Sequence, residues 1–362
     1  MTKKLNIVVG MSGGVDSSVT AYLLKQQGHN VIGVSMSIWD GKHFASERHA
    51  CYGPNEKEEL EETAEICKFL DIPFHIVDCS KEYKNLVLEY FKTEYLSGRT
   101  PNPCVKCNHL VKLGILPEMI KKSGLAFDKF ATGHYASIDF NEETQLYNLK
   151  KGIDPLKDQS YFLYRLSQKQ LSNLLFPIGK FNKTEIKKIA KEINLSVHDK
   201  EESQDFYCGD YKDLLDVTDN IGDIITTEGQ VLGQHKGIWN YTLGQRKGLG
   251  IAYKEPLYVI NIDKDKNAVI VGTKIHLQNH SFLVEDLNWI ALENLSEKMN
   301  VSVKIRSAHH AVEATIEPYE NNEVKVNFIL PQEAITPGQS AVFYLDDLVL
   351  GGGTIKQIIK QN

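Results

Sequence analysis

Two groups of residues in this 362-residue chain have types and spacings suited to chemistry. The first is the octet GMSGGVDS, residues 10–17, which follows a short apolar run and precedes apolar residues at helical spacing. Glycines let backbone N–H groups converge on an anion, and the positive end of a helix dipole strengthens the attraction. The octet therefore predicts a phosphate-binding loop, with a tight turn capped by Ser12 or Asp16 as the alternative.

The second group is the pair Cys104 and Cys107 in TPNPCVKCNHL, at the start of a predicted helix. A thiol at a helix N-terminus has a lowered pKa and more thiolate, so the pair predicts reactive sulfur. The C-x-x-C spacing fits a redox pair, half of a zinc site or part of a metal cluster. The sequence has no second C-x-x-C, which weighs against an ordinary structural zinc site. The other four cysteines are two loop thiols and two that we expect in the core: Cys51, Cys208, Cys67 and Cys79.

The elements that must position these residues alternate between strands and helices as far as about residue 194. Continuous apolar runs such as LNIVVGM and NVIGVSMSIW predict buried parallel strands. A helix is predicted around residues 56–70, and another after Thr184, which we expect to be its N-cap. This alternation predicts an α/β fold with a doubly wound parallel sheet.

The pattern changes after about residue 200. A glycine-rich stretch with short β-like runs comes first, and segments with period-two alternation follow, such as Val301, Val303 and Ile305. These patterns predict a small β-rich central domain and a C-terminal antiparallel β-barrel. The predicted domains are therefore 1–204 for catalysis, 205–285 for the central domain and 286–362 for the barrel.

Composition narrows the class of protein. A net charge of −6 excludes a generally basic, nonspecific nucleic-acid binder. Six scattered cysteines in so long a chain indicate a reducing compartment. No secretory signal and no apolar segment of membrane-spanning length is found in the sequence. We expect a soluble, cytoplasmic protein that is a monomer and has no membrane partner.

The glycine-rich octet differs from two common phosphate loops. It lacks the lysine of G-x-x-x-x-G-K-[ST], and it does not read G-x-G-x-x-G. It resembles instead the pyrophosphate loop of the ATP pyrophosphatase superfamily, whose members cleave ATP between its α- and β-phosphates and adenylate a carbonyl oxygen. The resemblance implies that ATP and the departing pyrophosphate are held by Gly10, Met11, Ser12, Gly13, Gly14, Val15, Asp16 and Ser17. It also implies that Asp16 places Mg²⁺ or the leaving group.

Six segments, in order along the chain, together resemble the bacterial tRNA-specific 2-thiouridylase family: GMSGGVDSSV, GRTPNPCVKCN, ATGHYA, KDQSYFLYRLS, YTLGQRKGLGI and TPGQSAVFY. The resemblance implies an adenine nucleotide α-hydrolase-like fold and ATP-dependent replacement of the C2 oxygen of the wobble uridine by sulfur. The implied partners are tRNAs for Lys, Glu and Gln and a persulfide-carrying donor, either a cysteine desulfurase or a relay protein. Cys107 corresponds to the family's catalytic cysteine, and a later cysteine carries the persulfide.

The chain departs from the family pattern at that later cysteine. The family's Asp/Glu-Ser-x-x-x-Cys register places Tyr207 at the cysteine position, and Cys208 stands one residue further on. Cys208 is nevertheless the best candidate for the persulfide carrier. Two routes for sulfur stay open: a metal-free persulfide route in which Cys107 and Cys208 can form a disulfide, or an iron–sulfur cluster on Cys104, Cys107 and Cys208 whose open iron binds sulfide.

The resemblance implies further binding residues. Met36 and Gly133 are expected to line the adenosine site. The expected tRNA-binding residues are Asn102, Pro103, Cys104, His134, Lys157, Asp158, Gln159, Arg306, Ser307 and Gln339. The lysines of KTEIKKIAKE, from Lys183 to Lys191, are interpreted as a solvated helix face.

Three alternatives to uridine 2-thiolation remain at this point. An iron–sulfur-dependent thiolase of another tRNA base is the first. The second is another adenylating enzyme, such as an amidotransferase-type or tRNA lysidine synthetase; no glutaminase domain is visible, and the C-x-x-C would then have no role. A non-catalytic metal-binding RNA protein is the third, and the intact loop argues against it.

Overall fold

The computed structural model describes residues 3–41, 50–200 and 206–359. The chain forms two compact units. The first comprises Met1–Val87, Cys104–Gly209 and Asp347–Val349, and the second comprises Leu88–Pro103, Asp210–Asp346 and Leu350–Asn362. The predicted division into three domains stays a prediction.

The α-helices of the described ranges are α1 (Val15–Gln26), α2 (Glu56–Phe69), α3 (Ser80–Tyr83), α4 (Glu89–Leu96), α5 (Pro103–Lys106), α6 (Leu116–Lys122), α7 (Gln168–Leu171), α8 (Lys183–Glu192) and α9 (Tyr211–Leu215). π-Helices join α3 to α4 and α5 to α6, over Lys84–Leu88 and Cys107–Ile115. The strands are β1 (Asn6–Gly10), β2 (Asn30–Ser37), β3 (Phe74–Asp78), β4 (Lys129–Thr132), β5 (Ala136–Asn141), β6 (Leu146–Lys151), β7 (Leu174–Leu175), β8 (Gly222–Thr226), β9 (Val231–His235), β10 (Tyr258–Asp263), β11 (Ala268–Gly272), β12 (Gln278–Trp289), β13 (Met299–Lys304), β14 (Val312–Tyr319), β15 (Glu323–Glu333), β16 (Ser340–Leu345) and β17 (Leu348–Ile359).

A five-stranded parallel sheet forms the centre of the first unit, in the order β3-β2-β1-β4-β7. Ile7 and Val9 of β1 have no exposed surface and lie in its core. Gly10 pairs with Val34 on one side and with Thr132 on the other, so three strands end at one edge. The predicted doubly wound sheet is confirmed, and ligands of such sheets bind at this edge, where strand order reverses.

The loop between β1 and α1 is shaped by glycine. Gly13 has φ +69°, in the left-handed region, and a Cβ there would lie 2.7 Å from Thr63 Oγ1. Only glycine tolerates both conditions without strain. No side chain caps the first turn of α1, which begins directly after Gly14. The loop therefore delivers a helix N-terminus to the ligand-binding edge of the sheet.

The N-cap of α8 lies two residues before Thr184, the predicted cap. The N-cap is Asn182, which forms a capping box with Glu185, and its backbone N–H donates to Glu185 Oε2 at 2.7 Å. The prediction of Thr184 as N-cap is wrong, because Asn is the stronger cap and Glu185 stands three residues after Asn182. Ile186 and Ala190 are fully buried, as the helical spacing predicted.

The capping box gives a stability prediction. We expect Asn182→Ala to lower the free energy of unfolding by about 1 kcal/mol, because the first turn of α8 loses its cap. Thr184→Ala is the matched control: Thr184 is exposed, so its loss is expected to cost less than about 0.5 kcal/mol. Denaturant unfolding measures both, and equal losses would contradict the assignment of the cap.

The second unit consists mainly of β-strands. A four-stranded sheet has the order β10-β11-β8-β9 and contains one parallel pair, β8 with β11. The six strands β12-β15-β14-β13-β16-β17 close into an antiparallel barrel, because β12 also pairs with β17. Val301, Val303, Val324 and Val326 are buried, as the period-two pattern predicted. The β-rich central region and the C-terminal barrel are both confirmed.

Among the helices that the structure describes, none has the length and apolarity needed to cross a bilayer.

Candidate active site

The carboxylate of Asp16 is held by two side chains of the first unit. Lys183 Nζ lies 2.8 Å from both Asp16 oxygens, and the Tyr135 hydroxyl donates to Oδ1 at 2.8 Å. The Lys183 side chain is only 12% exposed. Its interpretation as part of a solvated helix face is therefore wrong, because tertiary folding turns this one lysine of α8 toward the loop. Helix α8 thus supplies the lysine that the loop sequence lacks.

A short segment after β6 fixes both partners of Asp16. Gln159 Oε1 accepts the Tyr135 backbone N–H at 2.9 Å, and the Gln159 N–H donates to the Tyr135 carbonyl at 2.9 Å. Asp154 Oδ2 accepts the Lys183 backbone N–H at 2.9 Å. Both contacts hold the donors at Asp16 in place before any ligand binds, which lowers the cost of ordering the site.

Asp158 and Lys157 belong to the same segment. Asp158 accepts backbone N–H groups from Gly152 and Ser160, at 3.2 and 3.1 Å. The Lys157 backbone N–H donates to the Asp154 carbonyl. Asp158 therefore shapes the loop in this structure, and the tRNA-binding role of both residues stays a prediction.

The predicted nucleotide-binding residues lie together at the carboxyl edge of the sheet. Ser17 Oγ accepts the Ser12 N–H at 3.2 Å and donates to the Gly14 carbonyl at 3.2 Å, so the loop is internally braced. Met36 comes near the end of β2, and Gly133 directly follows β4. A Cβ on Gly133 would lie 2.8 Å from the Ser17 nitrogen, so that glycine permits close approach of the two backbones. An uncapped helix N-terminus with Lys183 beside it fits a triphosphate.

Cys107 is the first residue of the π-helix Cys107–Ile115, four residues after the start of α5. Burial raises the pKa of its thiol to about 11, and the charge of Lys112 opposes this shift only in part. The predicted lowering of the pKa is therefore wrong for Cys107. A helix dipole acts most strongly in the first turn, and Cys107 lies beyond that turn. Desolvation of the thiolate therefore has the larger effect on the pKa.

Four thiols share one region of the first unit. Cys51 keeps exposed surface. Desolvation by the surrounding protein nevertheless raises the pKa of its thiol, the charge of Lys112 opposes this shift, and Cys208 adds to it. Cys51 in turn raises the pKa of Cys107. The pKa of the buried Tyr83 hydroxyl is raised by burial and, to a lesser degree, by Cys107, Cys51 and Cys104. All six cysteines are free thiols, and Cys67 and Cys79 are fully buried, as expected.

Aromatic contacts hold the segments that carry Cys51 and Cys208. The Tyr52 N–H donates to the Phe206 carbonyl at 2.9 Å. The Tyr52 ring stacks on Tyr83 with centroids 5.7 Å apart, and its centroid lies 6.3 Å from that of Tyr207. Tyr207 is 3% exposed, whereas Cys208 keeps accessible surface.

His134 is a neutral imidazole at physiological pH. Burial and, to a lesser degree, the charge of Lys112 lower its pKa to about 3. Its Nδ1 lies 2.7 Å from Thr132 Oγ1, which fixes the ring. Lys112 therefore acts on His134 and on two thiols. Lys112 was not among the predicted site residues, although it stands only five residues after Cys107.

The thiols do not form a preassembled metal site. Within residues 3–41, 50–200 and 206–359, no group of three or more His, Cys, Asp or Glu side chains is arranged to hold a metal ion. The iron–sulfur cluster on Cys104, Cys107 and Cys208 stays a prediction. Mg²⁺ needs only one carboxylate together with phosphate oxygens and waters. Its placement by Asp16 stays a prediction.

Comparison with known proteins places the chain in a family. Three sequence profiles match it in succession: a tRNA methyl transferase HUP domain over residues 5–208, a tRNA methyl transferase PRC-barrel domain over 215–273, and an aminomethyltransferase beta-barrel domain over 279–355. The tRNA-specific 2-thiouridylase MnmA of Endomicrobium trichonymphae is 51% identical over 98% of this chain and 100% of its own. The chain belongs to the tRNA-specific 2-thiouridylase family. The thiouridylase MnmA 2 of Thermoanaerobacter sp. (strain X514) is 45% identical over 98% of each chain. Among solved structures, a 4-thiouridine synthetase–RNA complex with bound ATP has a TM-score of 0.34 and 17% identity, covering 56% of this chain and 45% of that one.

The position at which the thiouridylase family pattern expects its second cysteine lies beside the ring of Tyr52. Tyr207, which stands at the family's cysteine position, is packed into the interior with Tyr52, and Cys208 is the thiol that stays near Cys51. The preceding Glu202 and Ser203 lie outside the described residues. The assignment of Cys208 as persulfide carrier stays a prediction.

The remaining residues that the thiouridylase resemblance assigned to tRNA lie in the second unit. Gln339 Nε2 donates to the carbonyls of Thr100 and Pro101, at 3.1 and 2.8 Å. The N–H of the next residue, Asn102, donates to the Tyr90 hydroxyl at 3.2 Å. Gln339 thus braces the loop that leads to Asn102 and Pro103.

Arg306 is also engaged within the second unit. Its Nη2 donates to the Leu243 carbonyl at 2.8 Å and to Thr336 Oγ1 at 2.6 Å. Ser307 beside it is exposed. Direct tRNA contact by these residues stays a prediction.

Proposed function

We propose that this chain catalyses ATP-dependent 2-thiolation of the wobble uridine in tRNAs for Lys, Glu and Gln. One observation carries the proposal: a single compact unit holds both the braced loop, with Lys183 on Asp16, and the thiol region around Cys107. Family membership supports the same activity, since the relatives are named tRNA-specific 2-thiouridylases.

Activation of the base comes first. The uracil C2 oxygen attacks the α-phosphorus of ATP, the bond to the β-phosphate breaks, and pyrophosphate leaves. Negative charge grows on the leaving group, and the α1 N-terminus together with Lys183 is placed to stabilise it. Asp16 orients Lys183 and is the carboxylate that would hold Mg²⁺, which supplies further charge neutralisation when bound.

Sulfur transfer then completes the exchange. The terminal sulfur of a Cys208 persulfide attacks C2, and AMP leaves with the former C2 oxygen. The Cys107 thiolate attacks the remaining Cys208 sulfur, the S–S bond to the transferred sulfur breaks, and the bonding pair forms the thiocarbonyl. A Cys107–Cys208 disulfide results, and an external thiol must reduce it before the next turnover.

The proposal is tested with protein purified anaerobically and tRNA from cells that lack wobble 2-thiouridine. We expect pyrophosphate release that depends on this tRNA, and 2-thiouridine by mass spectrometry once a cysteine desulfurase or relay supplies persulfide. Pyrophosphate release that needs glutamine or lysine in place of tRNA would overturn the proposal. Iron and sulfide analysis of the same sample separates the two sulfur routes, because colourless, iron-free but active protein leaves only the persulfide route.

Cys208→Ser tests the sulfur carrier. We expect it to abolish 2-thiouridine formation while tRNA-dependent pyrophosphate release continues, because serine cannot carry sulfane sulfur. Cys51→Ser, in the same region, is the matched control and should thiolate within about twofold of wild type, an effect of less than 0.5 kcal/mol. Unchanged thiolation by Cys208→Ser would show that sulfur reaches the base without this residue.

A further inference from the structure

The helix that carries Cys107 is held from outside by one glutamine. Gln170, in α7, donates from Nε2 to the carbonyls of His109 and Leu113, at 2.8 and 3.1 Å. Both carbonyls belong to the π-helix Cys107–Ile115. π-Helical turns are rare and occur frequently at functional sites, since their wider turn alters which side chains share a face.

The oxygen of the Gln170 side-chain amide also has a fixed partner. Gln170 Oε1 accepts the Ser167 N–H at 3.0 Å, and the Gln170 N–H donates to Ser167 Oγ at 3.2 Å, which completes the capping box of α7. The amide therefore has one orientation, with its carbonyl on α7 and its NH₂ group on the π-helix.

Gly114 shows independently that the π-helix leaves no room for a side chain beside the His109 carbonyl. A Cβ on Gly114 would lie 2.8 Å from the His109 carbonyl oxygen and 3.6 Å from Gln170 Nε2. Any larger residue would displace the carbonyl that Gln170 binds. The glycine and the glutamine thus favour the same backbone path.

The π-helix also sets the neighbours of Cys107. In a π-helix, residues five apart are joined by backbone hydrogen bonds and lie roughly above one another. Lys112 is five residues after Cys107, and its charge acts on Cys107, Cys51 and His134. An ordinary α-helical turn would rotate Lys112 away from the Cys107 side of the helix.

We infer that Gln170 is a positioning residue for sulfur transfer, because its amide fixes the π-helix that places Cys107 and Lys112 on one side. The inference rests on the proposed function, and it concerns the second half of the reaction only. The residues that hold the loop at Asp16 do not include Gln170, so activation of the base should not depend on it.

Gln170→Glu isolates the two donated bonds. Glutamate keeps the acceptor oxygen of the capping box but has no N–H to give to His109 and Leu113. Gln168→Glu is the matched control in the same helix, since the Gln168 amide binds the backbone of Tyr147 instead, at 2.7 and 3.0 Å. Ser167→Ala removes the hydroxyl that caps α7 and that also donates to Gln170 Oε1 at 3.1 Å, but it keeps the backbone N–H that binds the same oxygen.

We expect Gln170→Glu to slow single-turnover thiolation by about tenfold or more, since small displacements of reacting groups have effects of this size or larger. Its tRNA-dependent pyrophosphate release should stay within about twofold of wild type, an effect of less than 0.5 kcal/mol. The iodoacetamide alkylation rate of Cys107, followed by peptide mass spectrometry, should change at least about threefold, or roughly 0.7 kcal/mol. Gln168→Glu and Ser167→Ala should match wild type in all three measurements.

The outcomes separate the inference from the proposed function. Wild-type thiolation by Gln170→Glu, or an equal loss of thiolation and pyrophosphate release, overturns the inference. Equal loss in Gln168→Glu also overturns it, because the effect would then be general to α7. If wild type itself makes no 2-thiouridine, the proposed function fails, and the alkylation rates of Cys107 alone still decide whether Gln170 positions that thiol.

Discussion

Cys107→Ser is expected to reduce 2-thiouridine formation by at least about a thousandfold, as the loss of a reacting nucleophile commonly does. Serine is similar in size, so the buried surroundings of Cys107 should stay packed. Its hydroxyl cannot attack the Cys208 sulfur to form a disulfide, so the S–S bond to the transferred sulfur stays intact. Binding of tRNA should remain close to that of wild type, because no phosphate contact is removed.

Two measurements check this expectation. Mass spectrometry of the tRNA product gives the thiolation yield, and filter binding gives the affinity for tRNA at fixed salt. Cys51→Ser, with a thiol lost from the same region, controls for general effects of removing sulfur. Retained thiolation by Cys107→Ser would contradict its assignment as the catalytic cysteine.

Lys183→Ala is expected to slow tRNA-dependent pyrophosphate release by about 10²- to 10³-fold, the range found when a donor that stabilises growing negative charge is removed. The loss has a second cause, because Asp16 would keep a partly buried charge without its ion-pair partner. Asp16→Ala is expected to stop the same half-reaction.

Lys187→Ala is the control for Lys183→Ala. Lys187 lies on the same helix, carries the same charge and is exposed, so its loss should change pyrophosphate release less than about twofold, or 0.5 kcal/mol. If both variants are impaired equally, the effect of Lys183 comes from the general charge of α8, and its special place beside the loop is refuted.

Local sequence was sufficient for most of the fold. The helix predicted around residues 56–70 is observed as Glu56–Phe69, and the apolar runs around residues 5–11 and 30–39 form the neighbouring strands β1 and β2. These patterns succeed because burial on one face imposes a period that can be read along the chain. The cap of α8 was misplaced by two residues, because Asn182 and Thr184 both have cap-forming side chains.

Less of the candidate site than of the fold could be predicted from the sequence. The glycines of residues 10–17 indicate the loop in the sequence. The lysine that binds its Asp16, however, is Lys183 of α8, which stands 167 residues further along the chain. The pKa of Cys107 depends on its burial in the folded chain, which outweighs the local helix terminus that the sequence shows. Gln170 and Lys112 carry no local signal of their roles, since each acts through contacts that exist only after folding.

The distance along the chain between Asp16 and Lys183 has a consequence for synthesis. A ribosome adds roughly 5–20 residues each second, so the loop is made roughly 8 to 33 seconds before its lysine, which stands 167 residues later. During that interval the nascent chain has a glycine-rich loop without its principal cation. Under the proposed function, the lysine that stabilises the leaving pyrophosphate reaches Asp16 only when α8 has emerged and packed, by which time the helix carrying Cys107 has already been made.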